Sequence, residues 1–293
     1  MTKGKIIKAL SGFYYVLAGD QIVQCRGRGV FRKKNIHPLV GDYVTFQAEN
    51  EQEGYIMAIE PRKNELTRPP IANIDQGILV FSAKEPDFNT LLLDRFLSVV
   101  EANNIHPIIC VTKIDLLLEE ERKQLDRYVE DYRTIGYDVI LVSALTGEGI
   151  DQLLPHIDSK VSVLAGQSGV GKSSLLNALR PELDLKTGHI SSHLGRGKHT
   201  TRHVELLQIG EGLVADTPGF SSLEFPEMEE AELGRAFPEI FAASASCKFR
   251  RCLHVNEPGC AVIKSVEEGD ICLYRYEHYK KFLEEIKERK PRY

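Results

Sequence analysis

Short apolar runs separated by turn residues fill the first quarter of the chain. Residues 5–10, 13–17 and 21–24 are brief runs broken by Ser-Gly and Gly-Asp, and 40–46 and 54–59 follow further turn signals. Five short strands without a helical period predict a small closed or nearly closed β-barrel of the OB type over residues 1–68. The pattern then changes. Residues 76–81, 107–111, 139–142 and 161–165 are continuous apolar strands. Helical spacing is seen at 91–103, a charged helix is expected at about 119–135 and a short one at 149–157, and a further helix at 173–179 follows a glycine-rich turn. Strands at 204–209 and 213–215 close this stretch. Continuous apolar strands joined by helices predict a mostly parallel sheet covered on both faces, here an α/β domain over 69–220. Beyond it the sheet pattern stops, and helices are predicted at 229–236 and 274–289 with cysteines between them. The chain therefore reads as multidomain: barrel, α/β domain, and an α-helical C-terminal domain over 221–293.

Charge sharpens this division. Residues 1–68 hold 11 Lys and Arg against 7 Asp and Glu, whereas the remainder holds 26 against 35. The net charge of −5 excludes a uniformly basic nucleic-acid coat, yet the barrel is a basic end on an acidic protein. No apolar run approaches the length of a membrane span. Residues 1–10 lack the apolar core and cleavage site of a secretory signal, so a cytoplasmic, membrane-free protein is expected, and separately a monomer. Cys25 and Cys110 lie in strand-like contexts and are expected to be buried thiols. Cys247, Cys252, Cys260 and Cys272 crowd together, which in a reducing compartment points to metal rather than disulfides.

The strongest motif is Gly166-Gln167-Ser168-Gly169-Val170-Gly171-Lys172-Ser173, followed by Ser174. It matches GxxxxGK[ST] between a predicted strand and a predicted helix. Backbone N–H groups of such a loop surround phosphates, and the helix N-terminus adds partial positive charge. Lys172 is expected to reach the outer phosphates and Ser173 to hold Mg²⁺. Asp216-Thr217-Pro218-Gly219 ends a later strand. There Asp216 is expected to hold the metal through water, and the Gly219 N–H to sense the terminal phosphate. Thr112-Lys113-Ile114-Asp115 supplies a base reader. The Asp115 carboxylate accepts from guanine N1 and N2, donors that adenine lacks, and a wrong base leaves it unpaired. The Lys113 stem can lie over the ring. Ser143-Ala144-Leu145 can aim a backbone N–H at guanine O6.

These elements resemble those of Ras-like GTPases in changed order, with the base reader before the phosphate loop. With a barrel in front and a Cys/His cluster behind, the chain resembles the bacterial RsgA family of circularly permuted GTPases over essentially its whole length. In this family's pattern the stretch from Gly195 to His203 matches switch I. The resemblance implies that Thr200 or Thr201, with Thr201 favoured, reaches Mg²⁺ and the terminal phosphate. His199 is the candidate that orients or deprotonates water, the alternatives being an RNA contact or loop stabilisation. His189, His193 and His203 read as loop or RNA-facing residues. Three departures stand out. Thr112 replaces the usual Asn, Phe220 follows Gly219 where Ras-like proteins carry a water-orienting glutamine, and Gly169 stands where potassium-activated relatives carry Asn.

Cys247, Cys252, His254 and Cys260 suit tetrahedral, structural Zn²⁺, with Cys272 a helix-start residue outside the set. Lys248, Phe249, Arg250 and Arg251 make this knuckle basic and partly aromatic. Arg26, Arg28, Arg32, Lys33 and Lys34 do the same for a barrel loop. The resemblance implies a partner in the 30S ribosomal subunit and its 16S rRNA, and coupling of late 30S maturation to hydrolysis of GTP to GDP. The alternatives are a GTP-gated RNA-binding module and a GTPase acting on another ribonucleoprotein.

Overall fold

The structure is a computed structural model, and it describes residues 1–29, 31, 36–50, 53–67, 69–181, 204–216 and 228–289. Strands β1 (Thr2–Leu10), β2 (Phe13–Ala18), β3 (Gln21–Gly27), β4 (Tyr43–Ala48) and β5 (Glu53–Ile59) run in the order β1-β2-β3-β5-β4, and β4 pairs back to β1. The barrel is closed, as the spacing of the short runs predicts. Alternation puts Ile6, Val16, Val23, Cys25, Val44, Phe46 and Ile56 inside, with neighbours such as Ile22, Tyr43 and Tyr55 exposed. A hairpin of β6 (Glu65–Thr67) and β7 (Pro70–Ala72) follows. It leans on the barrel through the Ala72 N–H, which donates to the Val40 carbonyl at 2.9 Å. Arg62 grips the buried Asp42 with two nitrogens, at 2.7 and 2.9 Å. The chain thus stays tied to the barrel beyond β5, and the boundary expected near residue 68 falls inside this hairpin.

The α/β domain contains β8 (Gln76–Ser82), α1 (Thr90–Ala102), β9 (His106–Thr112), α2 (Glu119–Ile135), β10 (Asp138–Leu141), α3 (Ile150–Ile157), β11 (Val161–Ala165), α4 (Lys172–Leu179), β12 (Glu205–Ile209) and β13 (Gly212–Asp216). Its strands lie in the order β10-β9-β8-β11-β13-β12, parallel except for β12. Every residue of β8 and β11 is buried, which is why these strands read as unbroken apolar runs. The sheet separates two apolar layers, one including Phe81, Phe96 and Val111, the other Ile78, Leu153 and Leu176. The strand that feeds the phosphate loop, β11, sits in mid-sheet next to β8, although β8 enters the sheet first. This is the permuted order expected from the motifs.

The C-terminal domain has α5 (Glu230–Leu233), α6 (Pro238–Ser244), α7 (Ala261–Glu268) and α8 (Leu273–Lys287). Leu233, Phe237, Ile240, Val262, Tyr279, Phe282 and Leu283 form its core. Helices α6 and α7, which the sequence pattern did not predict, bracket the cysteine loop. Among the described residues, no helix is long and apolar enough to cross a membrane.

Candidate nucleotide site and metal centre

The phosphate loop leaves β11 with Gly166, Gly169 and Gly171 at φ 151°, 83° and 93°. At Gly166 any larger residue is excluded by more than backbone preference, because a Cβ would lie 2.1 Å from the Val80 carbonyl oxygen of β8. The loop turns tightly into α4, whose first residue is Lys172. The Lys172 ammonium donates to the Gly166 and Gln167 carbonyls at 2.7 and 2.6 Å, across the loop it serves. Ser173 and Ser174 follow on the first turn of α4, partly exposed.

The base-reading residues stand beside this loop at the end of β9. Lys113 adopts the left-handed conformation at φ 58°, and a short 3₁₀ turn, Ile114–Leu116, carries Asp115 outward. The Ser143 hydroxyl donates to Asp115 Oδ1 at 2.6 Å and accepts from the Thr146 N–H at 3.1 Å. The sequence pointed to backbone N–H groups around Ser143-Ala144-Leu145. The hydroxyl of Ser143 as the anchor of Asp115 was not legible there. The Lys113 ammonium donates to the Glu85 carbonyl. The Thr112 hydroxyl donates to the Val170 carbonyl at 2.5 Å, joining base reader to phosphate loop. The topology therefore brings together Thr112, Lys113, Asp115, Ser143, Ala144 and the loop from Gly166 to Ser174. Asp216 ends β13 next to β11. His199, Thr200, Thr201, Thr217, Pro218, Gly219 and Phe220 lie outside the described residues, as do Arg32, Lys33, Lys34, His189, His193 and His203.

The metal ligands converge as their spacing suggests. The Sγ atoms of Cys247, Cys252 and Cys260 and a ring nitrogen of His254 all lie within 4.8 Å of one another. Cys247 to Cys260 is 3.8 Å, Cys252 to Cys260 is 3.6 Å, and His254 Nδ1 is 3.4 Å from Cys260 and 3.6 Å from Cys247. Bonds of about 2.3 Å to sulfur and about 2.0 Å to nitrogen give tetrahedral edges of roughly these lengths, so the donor set fits zinc. Burial pushes the Cys252 and Cys260 thiols up and the His254 imidazole down. Three sulfurs and an imidazole gathered this closely form a site that a divalent cation would stabilise. Cys272 instead stands at the start of α8, outside the cluster, as expected. Cys25 and Cys110 are fully buried thiols, also as expected.

Glu257 was missed, since an acidic residue in a polar loop carries no distinguishing pattern. Its carboxylate accepts the N–H groups of Leu253, Val255 and Asn256 at 2.6, 2.9 and 3.1 Å. Burial raises its pKa, but these donors outweigh burial and hold it down to about 2. Tyr276 and Tyr279 of α8 donate to the His254 and Leu253 carbonyls at 2.7 and 2.9 Å, so the ligand loop is fixed from both sides.

Comparison with known proteins agrees with this architecture. The family described as RsgA GTPase matches residues 59–226, and the RsgA N-terminal domain matches 3–56. The chain is 65% identical over 296 residues to the small ribosomal subunit biogenesis GTPase RsgA of Bacillus velezensis, and 62% identical over 298 residues to that of Bacillus subtilis, with all of each chain covered. The crystal structure of YloQ, a circularly permuted GTPase, is similar with a TM-score of 0.87 and 57% identity, over 100% of this chain and 97% of that one. YjeQ from Thermotoga maritima gives 0.87 at 36% identity, over 99% of both chains. Matches of this extent, joined to a closed barrel, a permuted sheet and a Cys₃His cluster, mean that the chain belongs to the RsgA family of circularly permuted GTPases.

Proposed function

We propose that this protein is a cytoplasmic GTPase of small-subunit biogenesis, which binds the 30S subunit through its 16S rRNA late in maturation and hydrolyses GTP to GDP and phosphate. The observation that carries this reading is the junction of base reader and phosphate loop at the carboxyl ends of β9 and β11, with the exposed Asp115 held by Ser143. Asp115 reads the guanine N1 and N2 donors, and Lys172 leaves the loop carbonyls for the outer phosphates. Ser173 and Thr201 would hold Mg²⁺, which would supply charge neutralisation at the phosphates. Phe220 has no polar atom with which to orient water, so His199 on the switch loop takes that role when the ribosomal partner closes the loop. Replacement His199→Ala is expected to lower partner-stimulated turnover by roughly 10²-fold. The division into a barrel at 1–68, a GTPase domain at 69–220 and a zinc domain at 221–293 supports a clamp. Exposed basic residues, Arg26 and Arg28 of the barrel and Lys248, Arg250 and Arg251 of the knuckle, lie before and after the nucleotide domain in the chain. Turnover of GTP, ITP and ATP by the parent and by Asp115→Asn tests the nucleotide reading. The parent should use GTP and not ATP, and the variant should lose its preference for GTP over ITP. Equal use of GTP and ATP by the parent contradicts it.

A further inference from the structure

Thr112 ends β9 directly beneath the phosphate loop and is 2% exposed. Its hydroxyl oxygen is 2.5 Å from the Val170 carbonyl oxygen and 3.3 Å from that of Phe81. A Cβ placed on Gly171 would come within 3.5 Å of the same hydroxyl. The hydroxyl carries one proton, and both carbonyl neighbours only accept. The proton therefore goes to the shorter contact, the Val170 carbonyl, and what Thr112 has left to offer a ligand is lone pairs.

The N7 and O6 positions of guanine are acceptors too. Thr112 cannot donate to either of them without releasing the phosphate loop. On the other side of the base, Asp115 is acceptor-only as a carboxylate, exposed, and fixed through Oδ1 by Ser143. That complements the N1 and N2 donors of guanine and nothing on its N7 edge. The Lys113 ammonium is turned to the Glu85 carbonyl.

We propose that Thr112 is a positioning residue that ties the base-reading turn to the phosphate loop, and that the site consequently recognises guanine by its N1 and N2 donors while leaving N7 unread. This inference rests on the guanine-nucleotide reading above and adds which edge of the base is discriminated. An Asn at this position has two N–H donors. It can hold the Val170 carbonyl with one and offer the other to N7.

The test is displacement of mant-labelled GDP from the full chain, with Mg²⁺, by GTP and by 7-deaza-GTP, whose C–H replaces N7. The parent is expected to bind the two within about twofold of each other. Thr112→Asn is expected to favour GTP over 7-deaza-GTP by about three- to tenfold, the range of one added hydrogen bond. Thr112→Val should weaken both nucleotides alike by about threefold or more, and Thr112→Ser should recover most of what Thr112→Val loses. A parent protein that discriminates against 7-deaza-GTP by about fivefold overturns the inference, as does a Thr112→Val variant with parental affinity. If the parent binds the label but neither guanine analogue displaces it better than ATP does, the guanine reading fails, a result distinct from N7 discrimination.

Discussion

Where the barrel meets the α/β domain, β1 pairs with β12 at Lys8 opposite Glu205, and the ion pair there leaves both side chains more than a third or close to a third exposed, 33% and 39%. Where the C-terminal domain meets the same α/β domain, Arg275 of α8 and Asp94 of α1 are 1% and 0% exposed. Arg275 Nη1 donates to Asp94 at 2.5 Å, and its Nε and Nη2 grip Glu239 of α6 at 2.8 and 3.0 Å. The Tyr132 hydroxyl donates to Asp94 at 2.6 Å, His278 Nδ1 lies 2.5 Å from the other carboxylate oxygen, and the Phe237 ring lies under the guanidinium. Both joints are ionic, but solvent decides what each is worth. An exposed pair gains little over its hydrated parts and is screened by salt. A buried pair has already lost its hydration, so each partner depends on the other. The ionic joint of the C-terminal domain is sealed from water and that of the barrel is open to it, and beneath the barrel's joint Ile6, Val161 and Leu206 belong to one apolar cluster. The exposed pair sits on β12, the first strand among the described residues after 181.

The comparison breaks most severely at the metal. Cys252→Ser is expected to take zinc from about one per chain to near none, and to cost more stability than any single contact, since structural zinc supplies folding energy outright. Metal analysis with thermal unfolding checks this, and GDP binding should persist. Next comes Arg275→Ala, which strands Asp94 and Glu239 without their cation. A loss of about 3–5 kcal/mol is expected in urea unfolding, and adding Asp94→Asn should recover part of it. Glu257→Gln keeps the loop's shape but weakens three hydrogen bonds to charge, a loss of about 1 kcal/mol visible as a small drop in melting temperature with zinc retained. The smallest effect belongs to the exposed Lys8–Glu205 pair. Lys8→Ala should cost less than about 1 kcal/mol, and the difference from the parent should fade at high salt. A loss there as large as that of Arg275→Ala would erase the contrast between the joints.

Much of this was legible in the residues. Fully buried parallel strands are continuous apolar runs, so β8, β9 and β11 stood out. The phosphate loop and the Cys/His spacing are patterns in which each residue type has a local geometric reason. The two joints were not legible. Arg275 and Asp94 are 181 positions apart, and charges within helices normally mark a solvated face. Lys8 and Glu205 are 197 positions apart, in strands of different domains. Helices α6 and α7 are only 7 and 8 residues long and, unlike the equally short α3 and α4, follow no predicted strand that would mark their start. Thr112 was noted for lacking a carboxamide, but its bond to Val170 needs the fold to bring two loops together.

The central claim is that this GTPase is completed by its ribosomal partner, because Phe220 stands where a water-orienting glutamine is usual. The most direct measurement is single-turnover GTP cleavage with and without purified 30S subunits. The account predicts slow cleavage alone and an acceleration of about tenfold or more at saturating 30S. Closely similar rates in both would contradict it.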